Sequence, residues 1–143
     1  MFLGEFEHSL DVKGRVILPA KFRDQLADGA VVTKGRGGCL WVLTPEEFLS
    51  VSNLVREQSK RGAKELNAAR AFFSGSDEIQ PDKQGRVALP AKLREFAGLE
   101  REVVVAGNYD HLELWNPPAW EKHLNAVEGS VEHAAERLAT HGS

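Results

Sequence analysis

Short apolar stretches bounded by glycine or proline recur along the chain. Val16–Leu18 and Val31–Thr33 have the length and the β-branched content of strands. Leu40–Leu43 follows a glycine-containing turn and completes a hairpin. Pro19 suits the first turn of a helix, because its missing N–H would have no partner there, and it predicts a short helix over Ala20–Leu26. This part of the chain is therefore predicted to fold as strand, short helix and hairpin.

The same succession of elements occurs a second time further along the chain. Residues 11–23 and 82–94 are identical at nine of thirteen positions, where about one identity would be expected by chance. The corresponding elements are the strands Val87–Leu89, Val103–Val105 and Leu112–Trp115 and the short helix Ala91–Ala97. Each copy has about forty residues, close to the lower limit for a separate core. We therefore expect the two copies to share one core with pseudo-two-fold symmetry.

Longer helices are predicted outside the repeated motif. Thr44-Pro-Glu-Glu47 has the composition of a capping box, and the helix after it has an apolar face of Phe48, Val51 and Val55. Asn116-Pro-Pro118 opens a second helix, with Trp120, Leu124 and Val127 at helical spacing. The segment Gln58–Ala71, which joins the copies, is predicted to be helical in part.

On this pattern, residues 1–143 form a single fused domain, in which residues 5–47 are the first repeat and residues 76–119 the second. Residues 120–143 are expected to form a C-terminal helical segment. Beyond Ser130 its apolar residues recur at helical spacing, at Val131, Ala134, Ala135 and Leu138. The sequence leaves open whether this last helix packs on the rest of the protein.

Composition and charge exclude several classes of protein. The longest apolar run, Cys39–Leu43, has five residues, far too few to span a membrane, and the N-terminus has no signal-peptide pattern. A single cysteine excludes an internal disulfide. We therefore expect a soluble cytoplasmic protein. The net charge of −3 argues mildly against a nucleic-acid binder, but residues 1–71 carry +2 and residues 72–143 carry −5.

Both copies contain Asp-x-x-Gly-Arg, which has a structural and a functional interpretation. Asp11 and Asp82 can accept a hydrogen bond from a backbone N–H two residues on and so brace a turn. Arg15 and Arg86 are less easily explained as surface residues, because the positions between Asp and Gly change freely. The planar guanidinium can bind phosphate or guanine in a bidentate way.

Catalysis has little support in this sequence. Cys39 and His111 occupy corresponding positions of the two copies, so neither is repeated, and the five histidines form no ligand cluster. Gly35–Gly38 is interpreted as a hairpin turn rather than a phosphate loop, because no Gly-Lys-Ser/Thr follows. We expect no enzyme activity, no cofactor and no metal site.

The repeated Asp-x-x-Gly-Arg-Val-x-Leu-Pro-Ala-x-x-Arg motif resembles that of the MraZ family of bacterial transcriptional regulators, within the wider SpoVT-AbrB group of DNA-binding proteins. The opening Met-Phe-Leu-Gly and the Glu-Leu-Trp before the last helix match as well, so the resemblance covers nearly the whole chain. It implies a mainly β, α+β fold with short helices: a tandem-repeat, swapped-hairpin AbrB-like β-barrel with flanking helices. It also implies a ring-shaped homo-oligomer associated with the nucleoid. The expected function is repression through direct repeats in double-stranded DNA upstream of the protein's own division and cell-wall gene cluster.

The resemblance also assigns residues. Arg15 and Arg86 would meet DNA, while Asp11 and Asp82 would orient them or brace the turn. Lys13 would add a contact that Gln84 does not supply in the second copy, which is therefore expected to bind more weakly.

Further basic residues are expected to help. Lys13, Lys21 and Arg23 would contact phosphates, although one residue of each pair Lys21/Arg23 and Lys92/Arg94 is expected to make a structural contact instead. The competing interpretation is an assembly or partner-binding module of antitoxin type that binds no DNA, and it would need a disordered tail.

Overall fold

A computed structural model describes residues 1–141, which form eight strands and four helices. The strands are β1 (Glu5–Ser9), β2 (Arg15–Ile17), β3 (Ala30–Lys34), β4 (Leu40–Leu43), β5 (Asp77–Ile79), β6 (Arg86–Ala88), β7 (Glu102–Asn108) and β8 (His111–Trp115). The helices are α1 (Pro45–Ser59), α2 (Ala63–Ser74), α3 (Ala91–Ala97) and α4 (Pro117–His141). The α+β class is confirmed, but the fold is not mainly β, because the four helices contain more residues than the eight strands. The strands at Val16 and Val87 lie within one residue of their predicted bounds.

The strands pair across the two copies of the repeat. Six of them form one antiparallel sheet in the order β1-β7-β8-β4-β3-β5, and β2 pairs with β6 in a separate two-stranded ribbon. The first strand of each copy therefore pairs with the other copy, β1 with β7 and β5 with β3, while β4 pairs with β8 at the centre. These pairings map onto each other when the copies are exchanged. No closed barrel is assigned across residues 1–141.

One apolar core contains residues of both copies. Val16 of β2 and Val87 of β6 are directly opposite each other and have no exposed surface. Leu112 and Leu114 of β8 are fully buried in the same core, whereas the alternate residues of β8 lie on the other face of the sheet. On that face Trp115 contacts Trp120 of α4, with ring centroids 5.4 Å apart. The core thus lies between the six-stranded sheet and the ribbon.

The short helix predicted over Ala20–Leu26 is wrong in its extent. Only Ala20–Phe22 form a helical turn, of 3-10 type, and hydrogen-bonded turns follow. In the second copy, α3 covers the predicted residues and ends at Gly98, whose left-handed conformation (φ 63°) caps the helix. The corresponding residue of the first copy is Ala27, for which that conformation is costly. Without this cap, the first copy keeps the tighter i→i+3 bonding.

The longer helices α1 and α4 begin where the sequence predicts, at Pro45 and Pro117. Thr44 Oγ1 accepts a hydrogen bond from the backbone N–H of Glu47 at 3.2 Å, as a capping box requires. The joining segment is helical in part, because α1 extends to Ser59 and α2 begins at Ala63. Among residues 1–141, no helix combines the length and the apolar composition needed to cross a lipid bilayer.

The C-terminal segment is helical to His141. Its predicted apolar positions Val131, Ala134 and Ala135 lie outside the residues whose side chains are described, and Leu138 is exposed.

The shared core predicts that one copy does not fold alone. A fragment of residues 1–71 lacks β7 and β8, which pair with β1 and β4, and it lacks half of the buried side chains. We expect this fragment to show no cooperative transition in urea, monitored by circular dichroism, under conditions in which the full chain unfolds in one step. A sigmoidal transition of a fragment that light scattering shows to be monomeric would contradict the shared core.

Candidate nucleic-acid interface

The ribbon of β2 and β6 presents two arginines on one exposed face. Arg15 lies opposite Ala88, and Ile17 lies opposite Arg86, so these four residues share a face. The other face carries the buried valines of the core. Arg15 and Arg86 are diagonal neighbours, for which the expected Cα separation is about 7–8 Å. Between them Ile17 is exposed over 42% of its surface, which is high for a large apolar residue in a strand.

The carboxylate of Asp11 braces the turn and also holds Arg15. Its Oδ1 accepts hydrogen bonds from the backbone N–H groups of Lys13 and Arg15, both at 2.9 Å. Its Oδ2 accepts a hydrogen bond from Nε of Arg15 at 2.7 Å. The two interpretations of this aspartate, as turn brace and as orienting residue, therefore describe the two oxygens of one carboxylate.

The second copy repeats this geometry. Asp82 Oδ1 accepts from the backbone N–H groups of Gln84 and Arg86 at 2.9 Å, and Oδ2 accepts from Arg86 Nε at 2.7 Å. The structure therefore gives no reason to expect a less ordered Arg86. Sequence reasoning also missed Lys83, an exposed lysine beside Gln84 that takes the place of Val12. The alignment of the two copies contains that signal, since each turn has one lysine.

The hydrogen bonds lower the pKa of both aspartates. The backbone N–H of Arg15 is the main cause for Asp11, and that of Arg86 for Asp82, and in each case the hydrogen bonds together outweigh a desolvation effect that raises the pKa. Both carboxylates are therefore ionised at neutral pH. Exposed ion pairs of this kind make a modest contribution to folding stability. Here they also fix the orientation of the arginines.

The arginines remain able to bind a ligand. A guanidinium has five N–H donors, and the aspartate occupies the one at Nε. The four Nη hydrogens of Arg15 and of Arg86 meet no acceptor among the residues that the structure describes. The two Nη groups can form a bidentate pair with O6 and N7 of guanine or with a phosphate.

A second pair of arginines supports the turns from the opposite copy. Arg94 Nε donates to the carbonyl of Leu89 at 3.0 Å, and a Cβ on Gly14 would come within 2.7 Å of Arg94 Cζ. Arg23 of the first copy packs in the same way against Gly85 of the second. Arg23 is partly buried, so the expected structural contact of the Lys21/Arg23 pair is made by Arg23.

The two lysines predicted to touch phosphate differ in position. Lys13 is exposed in the first turn, next to the hydrogen-bonded Asp11. Lys21 is also exposed, but its Nζ lies 5.1 Å from the ring centroids of both Phe6 and Phe22. The ribbon therefore brings together Asp11, Lys13, Arg15, Asp82 and Arg86. Arg23 packs against the second turn, whereas Lys21 lies against Phe6 of β1.

The remaining reactive groups do not join this surface. Burial raises the pKa of the Cys39 thiol to about 12, so it is not a thiolate nucleophile at neutral pH. His111 Nδ1 lies 2.7 Å from Asp110 and Nε2 lies 2.9 Å from Glu113, on the sheet face opposite the core. Burial alone would lower the pKa of His111, but these hydrogen bonds outweigh it and the net shift is upward. Among the described residues, no group of three acidic, histidine or cysteine side chains could hold a metal ion.

The chain is similar to known proteins over almost its whole length. A family model described as "MraZ protein, putative antitoxin-like" matches residues 1–68 and 72–141, ranges that divide the chain close to where the motif repeats. A protein of Kocuria rhizophila named "Transcriptional regulator MraZ" is 42% identical over 138 residues, which cover 96% of both chains. Proteins with the same name from Paenarthrobacter aurescens and Salinispora tropica are 44% and 46% identical, over 91% and 90% of each chain.

The glycine of each turn is predicted to be essential to the geometry of the ribbon. Gly14 has a φ of +75°, and an added methyl group would also displace the Arg94 guanidinium. We expect Gly14→Ala to lower the free energy of unfolding in urea by more than the roughly 1–2 kcal/mol due to backbone strain alone, because the displaced guanidinium also loses its hydrogen bond to the Leu89 carbonyl.

Gly38→Ala is the matched control, because Gly38 also has a positive φ, +89°, but its Cβ would meet nothing within 4 Å. Equal losses of stability in Gly14→Ala and Gly38→Ala would contradict the contact between Arg94 and the first turn.

The aspartates predict a pH-dependent contribution to stability. Asparagine at positions 11 and 82 can still accept the backbone hydrogen bonds, but it cannot also present an acceptor to the Nε of both Arg15 and Arg86. The Asp11→Asn/Asp82→Asn variant should therefore be less stable than the wild type at pH 7. Because the folded-state pKa values are lowered, the carboxylates stabilise the fold above about pH 4 and lose this effect as the pH falls through those values.

The measurement is urea unfolding of both proteins between pH 7 and pH 3. The difference in stability should narrow towards pH 3, whereas a constant difference would show that ionisation of these carboxylates does not stabilise the fold.

Proposed function

The chain belongs to the MraZ family, and from that premise we propose that it is a sequence-specific DNA-binding transcriptional regulator that reads DNA with the β2–β6 ribbon. One observation carries the proposal. Arg15 and Arg86 lie on the same exposed face, and each is oriented by an aspartate that leaves its Nη groups free.

The ribbon has the dimensions that this role needs. The major groove of B-DNA is about 12 Å wide and admits a two-stranded β-ribbon, with side chains of the outer face towards the base edges. On that face, Arg15 and Arg86 each form a bidentate pair with a guanine. Because Asp11 and Asp82 already hold the two guanidinium groups in place, less side-chain conformational entropy is lost when the arginines bind DNA.

Charge is concentrated where the proposal needs it. The turns 11–15 and 82–86 carry four basic and two acidic residues, and both acidic groups are already bonded to arginine. Lys13 and Lys83 contact the phosphates on either side of the groove, and so does Lys21. Arg23 acts indirectly, by supporting the turn of the other copy.

The swapped-hairpin arrangement and the mode of regulation are proposed from the resemblance to the family. The pairing of β1 with β7 and of β5 with β3 supports the swapped-hairpin arrangement of AbrB-like proteins, with the ribbon and the sheet as its two parts. The protein represses its own division and cell-wall gene cluster through direct repeats upstream. Several copies in a ring present several ribbons to the repeats, which raises the effective concentration of each one.

A partner-binding module of antitoxin type is the second candidate, because the matching family model carries the words "antitoxin-like". Such a module would bind its partner with a segment that wraps around it. The segment after β8 is helical from Pro117 to His141, which favours the DNA-binding proposal. The names of the similar proteins refer to a transcriptional regulator and not to an enzyme.

The proposal predicts that DNA binding depends on Arg15. We expect tight, salt-sensitive fluorescence anisotropy binding to DNA from upstream of the gene, with much weaker binding to scrambled DNA of equal length. Arg15→Ala should weaken binding to the upstream DNA at least about fivefold, since a bidentate base contact contributes about 1–3 kcal/mol.

Arg70→Ala is the matched control, because it removes the same charge from an exposed position on α2. It should leave binding close to that of the wild type. Equal, weak binding of the wild type to both DNAs would contradict the DNA-binding proposal and favour a protein partner. Equal losses in the two variants would contradict the assignment of the ribbon.

A further inference from the structure

The ribbon is symmetric in its backbone but asymmetric in its exposed side chains. Three pairs of corresponding residues differ between the copies, and all six are exposed: Val12 and Lys83, Lys13 and Gln84, Ile17 and Ala88. Val12 has its full surface exposed, 103% of the reference value, at the tip of the first turn. The first turn thus carries an apolar residue and a cation, Val12 and Lys13, at the two positions where the second turn carries a cation and an amide, Lys83 and Gln84.

The scaffold beneath these residues is the same in both copies. The Asp–Arg hydrogen bonds are 2.7 Å long in each turn, and the turn glycines have φ values of +75° and +78°. The amide of Leu18 donates to Gly85 at 2.9 Å, and that of Leu89 donates to Gly14 at 3.0 Å. A reader built from the scaffold and its two arginines alone would bind a site equally well in either direction.

From this asymmetry, we propose that the three exposed pairs make the ribbon a directional reader, so that each protomer binds its DNA site in one orientation. The inference rests on the proposed function and adds to it the specificity-determining residues: Val12, Lys13, Ile17, Lys83, Gln84 and Ala88.

The chemistry of the two ends favours different bases. In the major groove, Val12 contacts the C5-methyl group of a thymine, and Gln84 forms a bidentate pair with N6 and N7 of an adenine. The lysines at the corresponding positions, Lys83 and Lys13, have longer, charged side chains that extend to the flanking phosphates instead. Ile17 lies directly opposite Arg86, so it places an apolar contact next to the guanine that Arg86 reads. Ala88, which lies opposite Arg15, has too short a side chain to make the equivalent contact. The two half-sites under one ribbon are therefore not equivalent.

Directional reading bears on the proposed direct repeats. Successive copies of a directional reader in one ring bind repeats that point the same way. An inverted repeat would require alternate copies to bind in the unfavourable orientation.

The test exchanges the exposed residues of the two copies. The exchange variant combines Val12→Lys, Lys13→Gln, Ile17→Ala, Lys83→Val, Gln84→Lys and Ala88→Ile, and it keeps both composition and net charge. The symmetrised variant combines Lys83→Val, Gln84→Lys and Ala88→Ile, which gives both ends the residues of the first copy. All substituted positions are exposed, so the core is unchanged in both.

Binding is measured by anisotropy on three DNAs of equal length. The first is the upstream segment, the second has every other repeat replaced in place by its reverse complement, and the third is scrambled. The wild type should prefer the upstream segment to the alternately reversed segment by about fivefold or more, as expected from 1–3 kcal/mol per base contact. The exchange variant should keep this preference, because all its ribbons are reversed together, and the symmetrised variant should bind both DNAs equally.

The outcomes separate the two proposals. A folded symmetrised variant that keeps the wild-type preference would overturn the directional reading and leave the DNA-binding proposal standing. A wild type that binds the upstream and alternately reversed segments equally, but better than scrambled DNA, would do the same. A wild type that binds all three DNAs alike would overturn the proposed function itself, and the directional reading with it.

Discussion

The antiparallel pairing of β2 with β6 joins the two copies of the repeat at the surface that carries both arginines. Each strand has only three residues, too few for an isolated ribbon to be stable in water. The ribbon persists because Val16 and Val87 are buried in the core, and because each turn glycine accepts a hydrogen bond from the other copy. The exposed face is therefore held by interactions that need both copies, and the spacing of Arg15 and Arg86 follows from them.

Local features of this fold could be predicted from the sequence, whereas the pairing of its strands could not. Pro90 and Gly98 define the start and the end of α3, and the repeat places the strands of both copies. The helix predicted over Ala20–Leu26 is too long, because Ala27 occupies the position of the capping glycine of the second copy. The order of strands depends on contacts between residues about a hundred positions apart, as in the pairing of β1 with β7. No local propensity specifies such a pairing.

In the candidate nucleic-acid interface, too, the sequence predicts the local contacts but not those between the two copies. Asp-x-x-Gly-Arg contains its own hydrogen bonds within five residues, so the turn and the Asp11–Arg15 pair follow from the motif. Spacing alone could not decide which of Lys21 and Arg23 makes the structural contact, because that contact is with a glycine of the other copy. Lys83 was missed because it is compared with Val12, an apolar residue, although it restores the charge that Gln84 lacks.

The most direct test of the central claim is the response of individual arginine side chains to DNA. In ¹⁵N-labelled protein, the Nε–Hε signals of Arg15 and Arg86 should be observable, since both groups donate to a carboxylate. If the ribbon is the DNA-contacting surface, these two signals shift or broaden when upstream DNA is added, while the backbone N–H signals of α2 stay unchanged. Binding that leaves Arg15 and Arg86 unaffected and moves signals elsewhere would contradict the claim.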